Sequence, residues 1–224
     1  MLLLAFDTAT PAVTAALHDT ERQLTLASCD RIDARRHGEL LLPAVDEVLR
    51  TAGAAKEDLG GIAVGTGPGP YTGLRVGLAT AAALGHALGI PVYGVCTLDG
   101  VAHAARTAGL TGPFVAATDA RRKEVYWACY DAEGRRTSGP DVDRPADIAE
   151  RVAGLPAVGA GALLYPEVFR QPAPGMPEHQ SAAALADWAA RRLAAGEALL
   201  EPVPLYLRRP DAEVPKNYKT VLPA

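Results

Sequence analysis

At 224 residues, 49% of them apolar, the chain has room for one large domain or two small ones and can bury a core without disulfide or metal staples. Its 22 basic side chains face 26 acidic ones, a net charge of −4, which excludes a protein whose main affinity comes from neutralising nucleic-acid phosphates; any RNA contact must be local or borrowed. The cysteines, Cys29, Cys96 and Cys129, are far apart with no CxxC pair, so neither a disulfide framework nor a zinc cluster is indicated and a reducing cytosol fits best.

The opening MLLLAFDTAT has an apolar run too short for a signal peptide or a membrane span, and an acid follows at once. It predicts a buried first strand. VTAALHD and QLTLASCD predict two more, with hairpins at an antiparallel edge, followed by a helix from about Gly38 to Ala52. GIAVGT predicts a strand, GLRVGLATAAALGHALG a long helix broken by too much Ala, Gly and polarity to cross a membrane, and PVYGV another strand. TLDGVAHAARTAG predicts a connecting helix capped by Thr97. In the second half FVAATDA and VYWACYD predict strands joined by the charged turn ARRKE, then PADIAERVA and SAAALADWAARRLAAG predict helices flanking a weak strand, PAVGA. The order implies a mixed α/β protein of two related halves, 1–100 and a smaller, degraded 101–224. From Glu201 the prolines and charges predict an ordered strap and then a tail.

Between strand and long helix, GTGPGPYTG alternates glycine and proline. The P-loop pattern fails, because Pro70-Tyr71-Thr72 stands where Lys and Ser or Thr are required, and GxGxxG fails too. The elbow is either a tight strand-to-helix turn or a cradle of backbone N–H groups for an anion, with Arg75 one turn inside. Along the helix Gly73, Gly77, Ala81 and Gly85 recur every fourth residue, a groove where another backbone can approach closely. Leu74 and Leu78 lie on its other faces, and the preceding helix carries Leu41, Leu42, Val45, Val48 and Leu49, more apolar positions than one sheet-facing stripe requires. The two helices either cover each other or dock on another chain. The docking alternative makes Leu41, Leu42, Val45, Val48, Leu49, Leu74, Gly77, Leu78, Ala81 and Gly85 the partner interface.

LAFDTAT, HGELLLPAVDEVL, GTGPGPYTGLRVGL, PVYGVCTLDGVA, DARRKEVYWACY and PLYLRRP, in this order, resemble the TsaB (YeaZ) family. The likeness spans nearly the whole chain and is thin from Ser138 to Arg192. It implies an ASKHA (actin/hexokinase-like, ribonuclease H-like) fold and a cytoplasmic, noncatalytic dimerization subunit. Its partner would be the catalytic paralogue TsaD, in the machinery that places a threonylcarbamoyl group on adenosine 37 of tRNAs reading codons that begin with A. The ATPase TsaE would be a further partner, tRNA an indirect one, and a homodimer the fallback when the chain is alone. No cofactor is required of this chain, with ATP or ADP placed at the subunit interface.

The same resemblance shows departures. The His-x-x-x-His metal motif of TsaD-type chains falls on Thr97 and Val101, so no metal is expected. Asp7, Thr8 and Thr10 correspond to the first phosphate loop of ASKHA ATPases, with Ala9 in a glycine's place, and Asp119 and Arg121 lie where relatives have a glycine-rich turn. Together with Arg75 they form a weak or vestigial nucleotide or anion site. Cys96 has no identifiable base, so no catalytic residue is assigned. The alternatives are an active ASKHA ATPase or phosphotransferase, which would use Asp7 and Asp119, and an M22-type metallopeptidase, which the vacant histidine positions oppose.

Overall fold

The computed structural model describes residues 1–170 and 175–208. The first three strands, β1 (Leu2–Asp7), β2 (Ala12–Asp19) and β3 (Leu24–Ile32), form an antiparallel meander. After α1 (His37–Ala52), β4 (Leu59–Gly65) returns parallel to β1, and after α2 (Tyr71–Leu88), β5 (Val92–Val95) pairs parallel to β4. The sheet order is β3-β2-β1-β4-β5. Side chains alternate across it as strand geometry requires. Leu4, Phe6, Val13 and Leu17 face α1 and α2, while Leu3, Ala5 and Ala63 face the opposite way.

A second sheet repeats the plan. The helix α3 (Thr97–Thr107) leads to β6 (Phe114–Asp119), β7 (Val125–Tyr130) and β8 (Arg136–Asp143), again antiparallel, and then to α4 (Pro145–Val152), β9 (Ala157–Val158) parallel to β6, and α5 (Ala160–Leu164). The order β8-β7-β6-β9 is that of the first sheet without its fifth strand. Meander, helix, parallel strand and helix therefore occur twice, the second time shortened. Strand β8 has no apolar alternation in RTSGPDVD, which is why periodicity does not predict it.

The boundary at residue 100 needs one correction. Helix α6 (Ala182–Ala194), although late in the chain, packs its Leu185, Ala186, Ala189 and Ala190 on Leu3, Ala5, Ala63 and Val95 of the first sheet. That face would otherwise be open to water, and small alanines let the helix lie close to it. The strap that follows stays on the first lobe: Gly94 and Leu200 exchange backbone hydrogen bonds of 2.8 and 3.1 Å, and the Leu205 N–H donates to Thr66 O at 2.9 Å. The strap ends by pairing Arg208 with Glu124 of the second lobe. The expected tail lies outside the described residues. Among those described, no helix is long and apolar enough to cross a membrane.

Candidate functional site

The cleft between the lobes is framed by the β1–β2 turn, the elbow after β4 and the β6–β7 turn. Its first wall is built from groups that already hold one another. The Asp7 side chain has no exposed surface. Its Oδ1 accepts from the Ala9 N–H at 2.6 Å and its Oδ2 from the Thr97 hydroxyl at 2.7 Å. Thr97 in turn accepts from the Gly67 N–H at 3.2 Å, and its own N–H donates to Gly67 O at 2.8 Å. Strand β1, the elbow and the start of α3 are thus tied through one carboxyl and one hydroxyl. Thr97 is the first residue of α3, and Cys96 occupies the cap position without a side-chain cap bond; the hydroxyl expected to cap the helix serves Asp7 instead.

The next residues of the turn are similarly engaged. Thr8 reaches into α2, donating to Gly73 O at 2.7 Å and accepting from the Gly77 N–H at 3.1 Å. The Thr10 hydroxyl bonds to the Gln180 side chain and accepts from the Ala12 N–H, while Thr10 O bonds to His37 Nε2 at 2.8 Å. The elbow presses on this turn so closely that a Cβ at Gly69 would lie 2.2 Å from Ala9 O. Gly65 to Gly69 are buried, so of the two readings the tight turn holds and the open anion cradle does not. As a phosphate loop the segment is closed at Asp7, Thr8 and Gly65 to Gly69, which are committed to the interior, while Thr10 and the end of the elbow, Pro70, Thr72 and Gly73, border a cavity.

The opposite wall is the β6–β7 turn. Asp119 Oδ1 accepts from the Arg121 N–H at 2.7 Å, and its Oδ2 meets Arg121 Nη1 at 3.1 Å. Arg121, Arg122 and Lys123 all take left-handed conformations, with φ of 61°, 56° and 64°. Such residues cost roughly 1 kcal/mol or more each without glycine, and the compact turn they form projects side chains where a phosphate-binding turn would offer bare backbone. The Arg75 guanidinium is engaged by the side chain at the start of its own helix, 4.3 Å from the centre of the Tyr71 ring, which stacks on Tyr206 of the strap at 5.2 Å. The expected anion set of Asp7, Thr8, Thr10, Arg75, Asp119 and Arg121 is therefore not one site. The structure brings only Thr10, Asp119 and Arg121 to the same cavities, of about 250 and 270 Å³.

The paired helices also depart from expectation. The small-residue row of α2 faces the chain's own sheet. A Cβ at Gly73 would sit 2.4 Å from Thr8 O, one at Gly77 2.7 Å from Thr8 Oγ1, and one at Gly85 2.3 Å from Val92. Leu41, Val45, Val48, Leu74, Gly77, Leu78, Ala81 and Gly85 are buried within the first lobe and are corrected from partner contacts to core. Leu49 is half-buried, and Leu42 alone of the expected set stands out, 55% exposed. What α2 turns outward is a row periodicity did not single out: Ala79, Ala82, Ala83 and Ala87, together with Arg75 and His86. On α1, Leu42 and Pro43 are also exposed, and Tyr71 at the start of α2 is 52% exposed. Every outward side chain in the middle of α2 is a methyl group, so another helix can come close there.

A family model described as "TsaD: tRNA N6-adenosine threonylcarbamoyltransferase" matches residues 31–186. An uncharacterized protein of Mycobacterium tuberculosis is 45% identical over 213 residues, covering 94% of this chain and 93% of its own. The Escherichia coli tRNA threonylcarbamoyladenosine biosynthesis protein TsaB is 33% identical over 181 residues, 76% of each chain. The chain belongs to the TsaB (YeaZ) family. The solved structure of YeaZ from Pseudomonas aeruginosa superposes with a TM-score of 0.78 at 32% identity, covering 92% of this chain and 99% of that one, and the fold is the ASKHA fold.

In this TsaB-family chain the positions of the TsaD metal histidines, Thr97 and Val101, are fully buried. Nearby His103 turns away to bond Asp187 Oδ2 at 2.6 Å. Cys96 is buried against Arg136, whose Nη1 lies 3.3 Å from Sγ; burial first, and then the nearby Asp99, push the thiol up to about 12, so it is no nucleophile. Asp99 itself accepts from the Tyr130 hydroxyl at 2.9 Å, a lock between α3 and the second sheet that sequence reasoning missed. Its partner is 31 residues away and no motif announces it.

Burial raises Asp7 from the ordinary 3.8 to about 6, against the pull of the Ala9 and Thr97 bonds. The sign follows from linkage: an acid raised in the folded state favours folding most when protonated in both states, and that contribution is lost as pH rises through about 6. Between pH 5 and 8 the wild type should lose about 1.5 kcal/mol that Asp7→Asn, neutral throughout, does not lose. Urea unfolding of both proteins at the two pH values checks this; parallel pH profiles would show that the carboxyl does not titrate in that window.

Proposed function

We propose that this chain is a noncatalytic scaffold that binds TsaD and so enables N6-threonylcarbamoylation of adenosine 37 in tRNAs reading codons that begin with A. Its membership of the TsaB family supports the pathway, and one observation carries the absence of chemistry. The acid that an ASKHA phosphotransferase would aim at Mg²⁺ and nucleotide, Asp7, is sealed inside the lobe with both oxygens bonded to the chain itself. The contribution of the chain is then shape. The outward alanine row of α2, flanked by Leu42 of α1, is the face offered to the related helix pair of TsaD. TsaE joins the assembly afterwards, any ATP or ADP sits at the boundary with TsaD, and the chain pairs with itself through the same face when TsaD is absent.

Reconstitution tests the division of labour. Purified TsaD, TsaE, tRNA and threonylcarbamoyl-adenylate should give modified tRNA only when this chain is added, and the chain alone should neither modify tRNA nor hydrolyse ATP. Asp7→Asn, which preserves the shape of the buried network, should support modification within about threefold of wild type, a barrier change under about 1 kcal/mol. Turnover by the isolated chain that Asp7→Asn abolishes would establish the phosphotransferase reading instead.

A further inference from the structure

We propose that the pocket between α3 and α6, on the side of the first sheet away from α1 and α2, binds a small organic monocarboxylate. The cavity is about 520 Å³ and lies outside the interlobe cleft, sharing none of its lining with the phosphate-loop positions. At its inner end is His18 of β2. Val13, Ala15 and Leu17 point to the opposite face of the sheet, so alternation turns His18 toward α6. The imidazole is 1% exposed. Its Nδ1 bonds the Thr25 hydroxyl at 3.2 Å, and its buried Nε2 has no partner among the described residues. A buried ring nitrogen left unpaired is costly, and among the described residues nothing meets it although the ring lines an open cavity.

The groups around that nitrogen select charge and size. The N-terminus of α6 opens onto the cavity through Ser181, Ala183 and Ala184, and the first-turn N–H groups and helix dipole favour a negative ligand. Ser181 Oγ occupies only the Ala184 N–H, at a long 3.5 Å. Asp187 on the next turns sets the upper limit of charge. Burial works against its ionisation, but bonds from Arg191 at 2.8 Å and His103 at 2.6 Å hold its carboxyl below the ordinary range. Arg191 and His103, which line the same cavity, are taken up by that carboxylate and leave no lining side chain to neutralise a second negative charge. Ala104, Ala108, Ala183 and Ala184 add methyl groups suited to a short hydrocarbon body, beside the polar Gln23 and Thr107. A single negative head against His18 and the helix start, with a few carbons between α3 and α6, satisfies all of these groups together.

Butyrate is the probe, titrated into the full-length chain with the histidine ring ¹⁵N resonances followed by NMR. Six heavy atoms imply a Kd on the order of 1 mM, with a saturable shift of the His18 Nε2 signal. Ala104→Phe, which fills the pocket from an already helical wall position, should weaken binding at least tenfold and leave the melting temperature within about 3 °C of wild type. His18→Phe should abolish it, and Ala104→Phe keeps the test decisive if that buried replacement fails to fold. A saturable His18 shift lost in Ala104→Phe supports the assignment. Inorganic phosphate binding more tightly than butyrate overturns the monocarboxylate class, and the absence of a saturable shift with either probe overturns the site.

Discussion

Gly77→Leu is expected to lower the stability of the isolated chain by about 4 kcal/mol, roughly 10 °C in melting temperature for a protein of this length. Helix propensity alone argues the opposite sign, since replacing a mid-helix glycine should gain about 1 kcal/mol. Packing decides. The new Cβ would stand 2.7 Å from Thr8 Oγ1 and the rest of the side chain would press toward Val64. Thr8 would have to abandon both Gly73 O and the Gly77 N–H, two buried groups it now serves. Each lost bond costs about 1 kcal/mol or more, and overpacking adds 1–3 kcal/mol. Gly38 provides the control. It lies in the first turn of α1 with nothing within 4 Å of a Cβ, so Gly38→Ala should follow propensity and stabilise by about 0.5–1 kcal/mol. Thermal unfolding of the three proteins separates the two causes. Equal stability of Gly77→Leu and wild type would mean that Thr8 does not hold α2 against the sheet.

Ala83→Arg should do the reverse, leaving the chain intact and removing its partner. Ala83 is exposed on the outward face of α2, and arginine is a good helix former, so the melting temperature should move by no more than about 2 °C. In the proposed complex a long cation would replace a methyl group where two helices approach to within 8–10 Å between axes. Affinity for TsaD should fall at least 100-fold, about 2.7 kcal/mol. Leu42→Glu, at an exposed position of α1, should cost less, about tenfold, because a side chain at the rim of the proposed interface keeps some access to water.

Much of this architecture is legible in the sequence, and what is not has a common cause. The first-sheet strands and the two long helices follow from local periodicity, with α2 beginning two residues before the expected Gly73. The four-residue spacing of Gly73, Gly77 and Gly85 correctly announces a close backbone approach, but spacing cannot say to what. Thr8, the group that needs the room at Gly73 and Gly77, is 65 and 69 residues away. The leucines and valines of α1 exceed one stripe because they serve the sheet and its neighbouring helix at once. The outward face of α2 is therefore carried not by the buried leucines but by the alanines at 79, 82, 83 and 87, whose low hydrophobicity conceals them. The same holds for Asp7: its motif resembles a phosphate loop, and only the fold reveals that the Thr97 hydroxyl, 90 residues on, donates to its carboxyl. Placing α6 needed the tertiary structure too, since an alanine stripe fits the back of either sheet.

The most direct test is a binding isotherm for TsaD with the wild-type chain and with Ala83→Arg, each verified as folded by its melting curve. The account predicts a tight one-to-one complex for the wild type and at least a hundredfold weaker binding for Ala83→Arg at unchanged stability. Undiminished affinity in Ala83→Arg would contradict it, because TsaD would then have to dock on a face other than the outward side of α2.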